Sequence, residues 1–549
     1  MRKLIILIFF LSPLFFLKSQ SQNIAENISK SDIYEFLDEL ANNGIIELTS
    51  VVKPYSRAYI AYKLKEADNH PRLNARQRKE LIFFLNDYGL EQTNTLPPDF
   101  LPVFIKKYVK GSLSINPPGY FYADSLFRVG IRPVVGVEYF SNNNGQIHHR
   151  FNGADMFADI DKRLSVYASL VDNNESEMIS KPNFLTRRTG ANYKKNVNNS
   201  GRNDFSEMQG GIMYNWKWGG LGLVKEPVQW GNNYNGALIF SGRTPTFAQI
   251  KFTLYPVGWL RFNYFHGWLI SNVLDSSRSY YDSQNTYRGV FHEKYLAANM
   301  FTLSPFKKLD VSFGNSIIYS DIGIQPAYLI PFMFFKSIDH TLNSTNNNRG
   351  QNAQMFFDVS SRLIPHTHLY TSVFVDEIML RTMFDKTQHR NQLSFKAGLR
   401  IDNIIPNTDF TGEYTRSNPW AYRHYISTTT FASNTYNLGH YLRDNAEEYY
   451  VAATYKPLRG LKLKFSYCKA LKGEEYAFGT ISDTGTPFLQ QTVWRNETYS
   501  ASVVYQIFNN VKLFSAFNYS EINDKAGIYT PDFFKGTQRT FSFGCSVGL

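Results

Sequence analysis

Apolar positions along the chain follow two different periods, that of a helix up to about residue 100 and that of a strand from about residue 101. In the first region Ile33, Phe36, Leu37 and Leu40 recur at i, i+3, i+4 and i+7, Ser31 stands where a cap belongs, and Gly44 stands where a C-terminal glycine stops a helix. Pro54 and Ser56 open a second helix carrying Ile60 and Leu64. Asn74 with Gln77 reads as a capping box before a third, carrying Leu81, Leu85 and Tyr88, and Pro97 and Pro98 then break the pattern. Three short amphipathic helices bury too little surface to stand alone, so they are expected to pack on one another and on the strand-forming region.

In the second region Phe127, Val129, Ile131, Val135, Val137 and Tyr139 share one face and Arg128, Arg132 and Glu138 the other. Leu393, Phe395, Ala397, Leu399 and Ile401 oppose Ser394, Lys396, Arg400 and Asp402 in the same way. Tyr499 to Ile507 and Val511 to Tyr519 repeat the alternation. Charges on the inner face would be costly in a soluble sandwich core but are ordinary in a hydrated lumen, which favours a transmembrane barrel over a soluble all-β repeat. Short turns, Pro457-Leu458-Arg459-Gly460 and Asn509-Asn510, alternate with long polar connections, Asp172 to Asp204 and Ser276 to Gly289. The fold expected is mainly β: a transmembrane antiparallel β-barrel over 101–549, on the order of 16–18 strands, behind a small N-terminal helical region over 22–100 placed on the periplasmic side.

The first residues explain how such a chain reaches a membrane. Arg2 and Lys3 precede an apolar run from Leu4 to Leu17, and Ser19-Gln20-Ser21 supplies small residues for cleavage, so 1–21 reads as a secretory signal peptide. The run is interrupted by Pro13 and falls short of the ~20 residues of a spanning helix. A mean hydropathy of -0.33 with 16% aromatic residues fits a barrel, in which only alternate residues meet lipid and aromatic girdles mark the interfaces. Of the formal charge of +12, removal of Arg2, Lys3 and Lys18 leaves 55 basic against 46 acidic residues. That excess favours acidic partners, and export makes anionic polysaccharide or lipopolysaccharide phosphate a better fit than nucleic acid. Cys468 and Cys545 fall on opposite faces of their strands and are expected to be free thiols.

Four stretches carry a family resemblance: Tyr34-Glu-Phe-Leu-Asp-Glu-Leu-Ala41 with Gly44-Ile-Ile46 and Pro54-Tyr-Ser-Arg57; Trp230-Gly231 with Gly236-Ala-Leu-Ile-Phe-Ser241 and Arg243; Pro326-Ala-Tyr-Leu-Ile-Pro-Phe-Met333; and Asn418-Pro-Trp-Ala-Tyr422. Together they resemble the Wzi-type capsule assembly proteins, although Thr244 separates Arg243 from Pro245 where that family has an arginine-proline turn. The resemblance implies an outer-membrane barrel of about 18 strands with a periplasmic helical bundle. It also implies a lectin role in attaching or organising capsular polysaccharide; polysaccharide export machinery is a further partner to expect, and no cofactor is expected.

A saccharide site mixes aromatic rings with amides, carboxylates and arginine. Two stretches have that mixture: Trp230, Asn232, Asn233, Tyr234 and Asn235 with Arg243, and Arg416 to Tyr425 with Trp420, Arg423 and Tyr425. Interface girdles and turn asparagines explain the same residues more plainly. In the long connection Lys194, Lys195 and Arg202 offer an electrostatic landing patch, or simply a solvated loop. His148-His149, Asp339-His340 and His366-Thr-His368 lack the helical spacing and third ligand of a metal site, and no nucleophile elbow, phosphate loop or Cys-x-x-Cys pair is present. A binding protein, not an enzyme, is therefore expected, with a porin or substrate-specific channel as the alternative.

Overall fold

A computed structural model describes residues 24–91, 101–105, 109–161, 163–194, 203–343, 350–378, 391–478 and 487–548. The signal segment 1–21, Pro97, Pro98, Lys195 and Arg202 lie outside these residues. Three helices come first: α1 (Ser31–Asn42), α2 (Arg57–Ala67) and α3 (Ala75–Tyr88). The Asn74–Gln77 capping box closes in both directions, and Ser56 accepts from the Tyr59 amide. Ser31 does not cap: it is the first residue of α1, Lys30 precedes it, and no side chain bonds the freed amides there. Burial of the apolar stripe holds α1 instead, with Leu37, Leu40, Ile60, Leu64 and Leu81 meeting in one core. Gly44 supplies the left-handed turn that ends it.

Among the described residues eighteen strands close an antiparallel ring, from Phe127–Asn142 to Gly536–Val547. The last strand seals it by pairing Phe541 with Ser141 through Val547 with Val135. The other half of that same first strand pairs Ile131 with Tyr120 and Arg128 with Ala123, so the strands Leu101–Ile105, Val109–Ile115 and Pro118–Ala123 form an extension and the ring proper begins at Phe127. Alternation holds as expected: Arg128, Arg132, Lys396 and Arg400 are buried inward while Phe127, Ile131 and Leu399 are exposed outward. Cys468 is buried, Cys545 exposed, and both are free.

The helices occupy the barrel at the end with the short turns. Arg362 reaches Asp38 at 2.9 Å, Lys456 reaches Glu39 at 2.6 Å, Arg132 reaches Asp87 at 2.7 Å, and Lys462 and Lys512 close on Asp32. Burial by itself would raise the Glu26 and Glu35 carboxyls. Lys30 and Arg57 beside the first, and Lys462 and Lys464 beside the second, outweigh it and hold both at about 2.

The expectation of a hydrated lumen needs correction. Phe265, Leu296, Met300, Ile318, Phe356 and Phe374 project inward and pack with Val51, Trp230, Phe240, Tyr422 and Phe431 in a single buried cluster. Two long connections dive into the barrel to build it, and Val52–Lys53 of the helical region pairs with Gln229–Trp230. The lumen is therefore filled by an apolar core as well as by charged pairs.

A third long connection runs over the outer wall. Pro326–Leu329 and α4 (Phe335–Asn343) cover outward-facing residues of neighbouring strands: Tyr264 donates to Tyr328 O at 2.9 Å and Asn299 to Pro331 O and Met333 O at 2.9 Å. The outer side of this strap leaves Leu329, Ile330, Phe332, Met333 and Phe334 exposed, an apolar surface suited to acyl chains.

Candidate functional site

At the end with the long connections, residues 418–445 fold down into the mouth. Trp420, Tyr422, Asn434, Thr435, Arg443 and Asn445 all have positive φ between 45° and 71°. Such backbone persists for bulky residues only where surrounding bonds fix it, and it concentrates at functional sites. Those bonds are present: Trp420 N donates to Asp444 at 3.0 Å, Tyr422 N to Asp376 at 3.1 Å, and the buried Lys472 holds Asp444 at 2.8 Å. Burial would raise the Asp444 carboxyl, but Lys472 and Arg423 bring it below the ordinary range in the balance.

This scaffold borders a cavity of about 350 Å³ lined by Ser271, Asn272, Lys294, Arg423, Asn437 and Arg443, with Glu475 as the single carboxylate among its described lining residues. Lys294, 6% exposed, donates to Thr430 O at 2.7 Å and has no carboxylate within ion-pair distance among the described residues. Arg423 donates to Tyr476 O at 2.9 Å, and Arg443 to Pro182 O at 2.8 Å with Glu475 at 3.3 Å. Asn272 donates to Thr435 at 2.6 Å. Arg423 is matched by Asp444 at 3.4 Å and Arg443 by Glu475, so Lys294 is the lining cation left without a carboxylate among the described residues; an anion in this partly desolvated hollow would stabilise its charge, while the amides and hydroxyls match sugar hydroxyls. Lys294 and Arg443 gave no signal in the sequence, since each follows or precedes an acidic residue, Glu293 and Asp444, and reads locally as a matched charge.

Beside the cavity Arg243 is buried, 3% exposed, donating to Phe184 O at 2.6 Å, with Nε and Nη1 lacking acceptors among the described residues. Burial and the neighbouring charge of Arg443 pull its guanidinium down to about 10. Of the connection above it, the described residues up to Ala191 pack down as a cover: Ile179, Leu185 and Ala191 are buried, and Tyr436 donates to Ser180 O at 2.7 Å.

The two aromatic-amide stretches meet different fates. Trp230, 3% exposed, stands edge-on to Phe240, Phe265 and Phe356 at 5.2, 5.3 and 5.8 Å and has no face to offer a sugar. Asn232 is buried against Asp358 and Ser50, and Asn233 bonds Gly231 O. Trp420 is half-buried, stacked on Phe478 with centroids 5.5 Å apart, while Arg423 lines the cavity and Tyr425 is 64% exposed. Lys194 is exposed. His148 and His149 face asparagines, and His368 is buried between Tyr234 and Ser360.

No family model matches the sequence, and no curated protein matches it. Among solved structures the chain is similar to Wzi, described as a carbohydrate-binding β-barrel involved in group 1 capsule assembly in Escherichia coli, at 12% identity over 97% of this chain and 100% of that one, with a TM-score of 0.57. OprD of Pseudomonas aeruginosa, at 8% identity over 76% of this chain and 94% of that one, has a TM-score of 0.40. OccAB2 of Acinetobacter baumannii, at 9% identity over 76% of this chain and 97% of that one, has a TM-score of 0.42. The chain thus has an outer-membrane β-barrel fold, and that of Wzi in particular.

Proposed function

We propose that this protein binds an acidic cell-surface polysaccharide at the long-connection end of a closed barrel, as a lectin and not as an enzyme or a channel. The observation that carries the reading is the mouth cavity, where the buried Lys294 ammonium lacks a carboxylate among the described residues and Arg423 and Arg443 converge on the same hollow. The shared fold with Wzi, itself described as carbohydrate binding, supports the same ligand class. The apolar cluster across the lumen speaks against conduction, the rival reading. In this reading the long connections face outward from the cell and the helical region faces the periplasm, as short turns do in such barrels.

The test is affinity of the detergent-solubilised barrel for the producing cell's own surface polymer. Replacing Lys294 and Arg443 by glutamine together should weaken binding at least tenfold and flatten its salt dependence. Equal affinity of that double variant and the parent would remove the cavity from the site, and no affinity of the parent would remove the function.

A further inference from the structure

A second cavity, of about 230 Å³, lies at the opposite end, between α2 and the inner wall. Its helical side is built from Tyr55, Tyr59, Tyr62 and Lys63, and its wall side includes Lys251, Arg261 and Asn263. The exposed turn residue Gly258 lines it too, so it lies beside the short-turn end. Among the described residues no carboxylate lines it.

The cations differ in what they already hold. Lys63 is matched by Glu66 at 2.7 Å and Lys251 by Glu226 at 2.5 Å. Arg261 has no carboxylate within ion-pair distance among the described residues; its neighbour is the Tyr59 ring, 5.8 Å from the guanidinium carbon, with Lys63 at 5.8 Å from the same ring. The Tyr55 hydroxyl, on a residue only 5% exposed, has no hydrogen-bond partner among them either. The guanidinium rests against Tyr59 and feels the charge of Asp310 from beyond ion-pair distance, so it stays charged among three tyrosine rings while its fork is left without a carboxylate of its own.

We propose that this cleft is a second ligand site, which takes a pyranose bearing a carboxylate, that is, one uronic acid residue or the end of a uronate chain. The planar fork of Arg261 suits a carboxylate bidentately. Tyrosine rings cover the apolar face of a sugar, and Asn263, Thr253 and Thr302 line the cavity with groups that pair with hydroxyls. The volume is below the roughly 300–1,000 Å³ of drug-sized pockets, which sets the limit at a single ring. The cleft is blind: beyond Lys251 and Asn263 a narrow continuation runs up to Trp230 and Phe265, which belong to the sealed core. A ligand here is held from the short-turn side and does not pass through.

Saturation-transfer NMR on the full chain in detergent, with D-glucuronate as probe and D-glucose and inorganic phosphate as controls, tests this. Wild type should give transfer to glucuronate and none to glucose, and phosphate should not displace it. With the mouth silenced by replacing Lys294 and Arg443 by glutamine, Arg261→Gln should still cut the remaining transfer at least tenfold and Arg261→Lys should restore part of it. That background separates this site from the mouth, and retained heat-modifiable mobility shows that each variant is folded. No glucuronate signal in wild type or on that background, full signal there in Arg261→Gln, equal transfer to glucose, or displacement by phosphate would each overturn the assignment.

Discussion

Asn315 donates from Nδ2 to Asn299 Oδ1 at 2.8 Å on the outward face of the barrel wall, where lipid would ordinarily be the neighbour. The strap over these residues explains the pair: Met333 O accepts from Asn299 at 2.9 Å, and Phe335 N donates to Asn315 Oδ1 at 2.9 Å. Asn315→Ala should therefore leave buried groups of the strap and wall unpaired and cost about 1–3 kcal/mol for each. The denaturant midpoint of the barrel in detergent reads this out, and an unchanged midpoint would mean that the strap is not docked.

Trp230→Ala should act on stability and not on recognition. A tryptophan enclosed by Phe240, Phe265 and Phe356 leaves a large void when truncated, at a cost of roughly 3–5 kcal/mol. The folded fraction should keep parental affinity for the surface polymer; loss of affinity in folded protein would return this residue to the site.

Acid should release the helices before it opens the ring. Glu26 and Glu35 are held at about 2, below the roughly 4.3 of an unpaired glutamate. Because the folded values are depressed, their stabilisation is complete above about pH 5 and is lost as pH falls through about 4 toward 2. Limited proteolysis from pH 7 to 2 should show cleavage among residues 24–91 in that window while the barrel retains heat-modifiable mobility. Full protection at pH 2 would contradict it.

Purified protein in a planar bilayer should be electrically silent. Removal of the helical region alone should give no large steady steps, since Phe240, Phe374, Tyr422 and Phe431 still close the lumen from above. Porin-like steps from the intact chain would defeat the closed-lumen reading.

The barrel was legible in the sequence wherever one strand face is apolar and the other charged, as in Phe127 to Tyr139 and Leu393 to Asp402, because a period of two leaves a single consistent side for lipid. The helices were legible for the same kind of reason, and the Asn74–Gln77 box fixed one of their starts. Leu260 to Leu269 and Lys294 to Phe306 were not, since apolar residues there occupy both faces, one against the lumen core and one beneath the strap. The candidate site was half legible. Arg423 was found because it sits in an aromatic and polar stretch, whereas Trp230, in an equally suggestive one, is core. The connections that carry Trp230, Phe240, Tyr422 and Arg443 meet Phe265, Phe356 and Lys294 only once the ring has closed. Local pattern fixes which way a strand residue points, but whether water, lipid or another loop waits there depends on contacts between segments far apart in the chain.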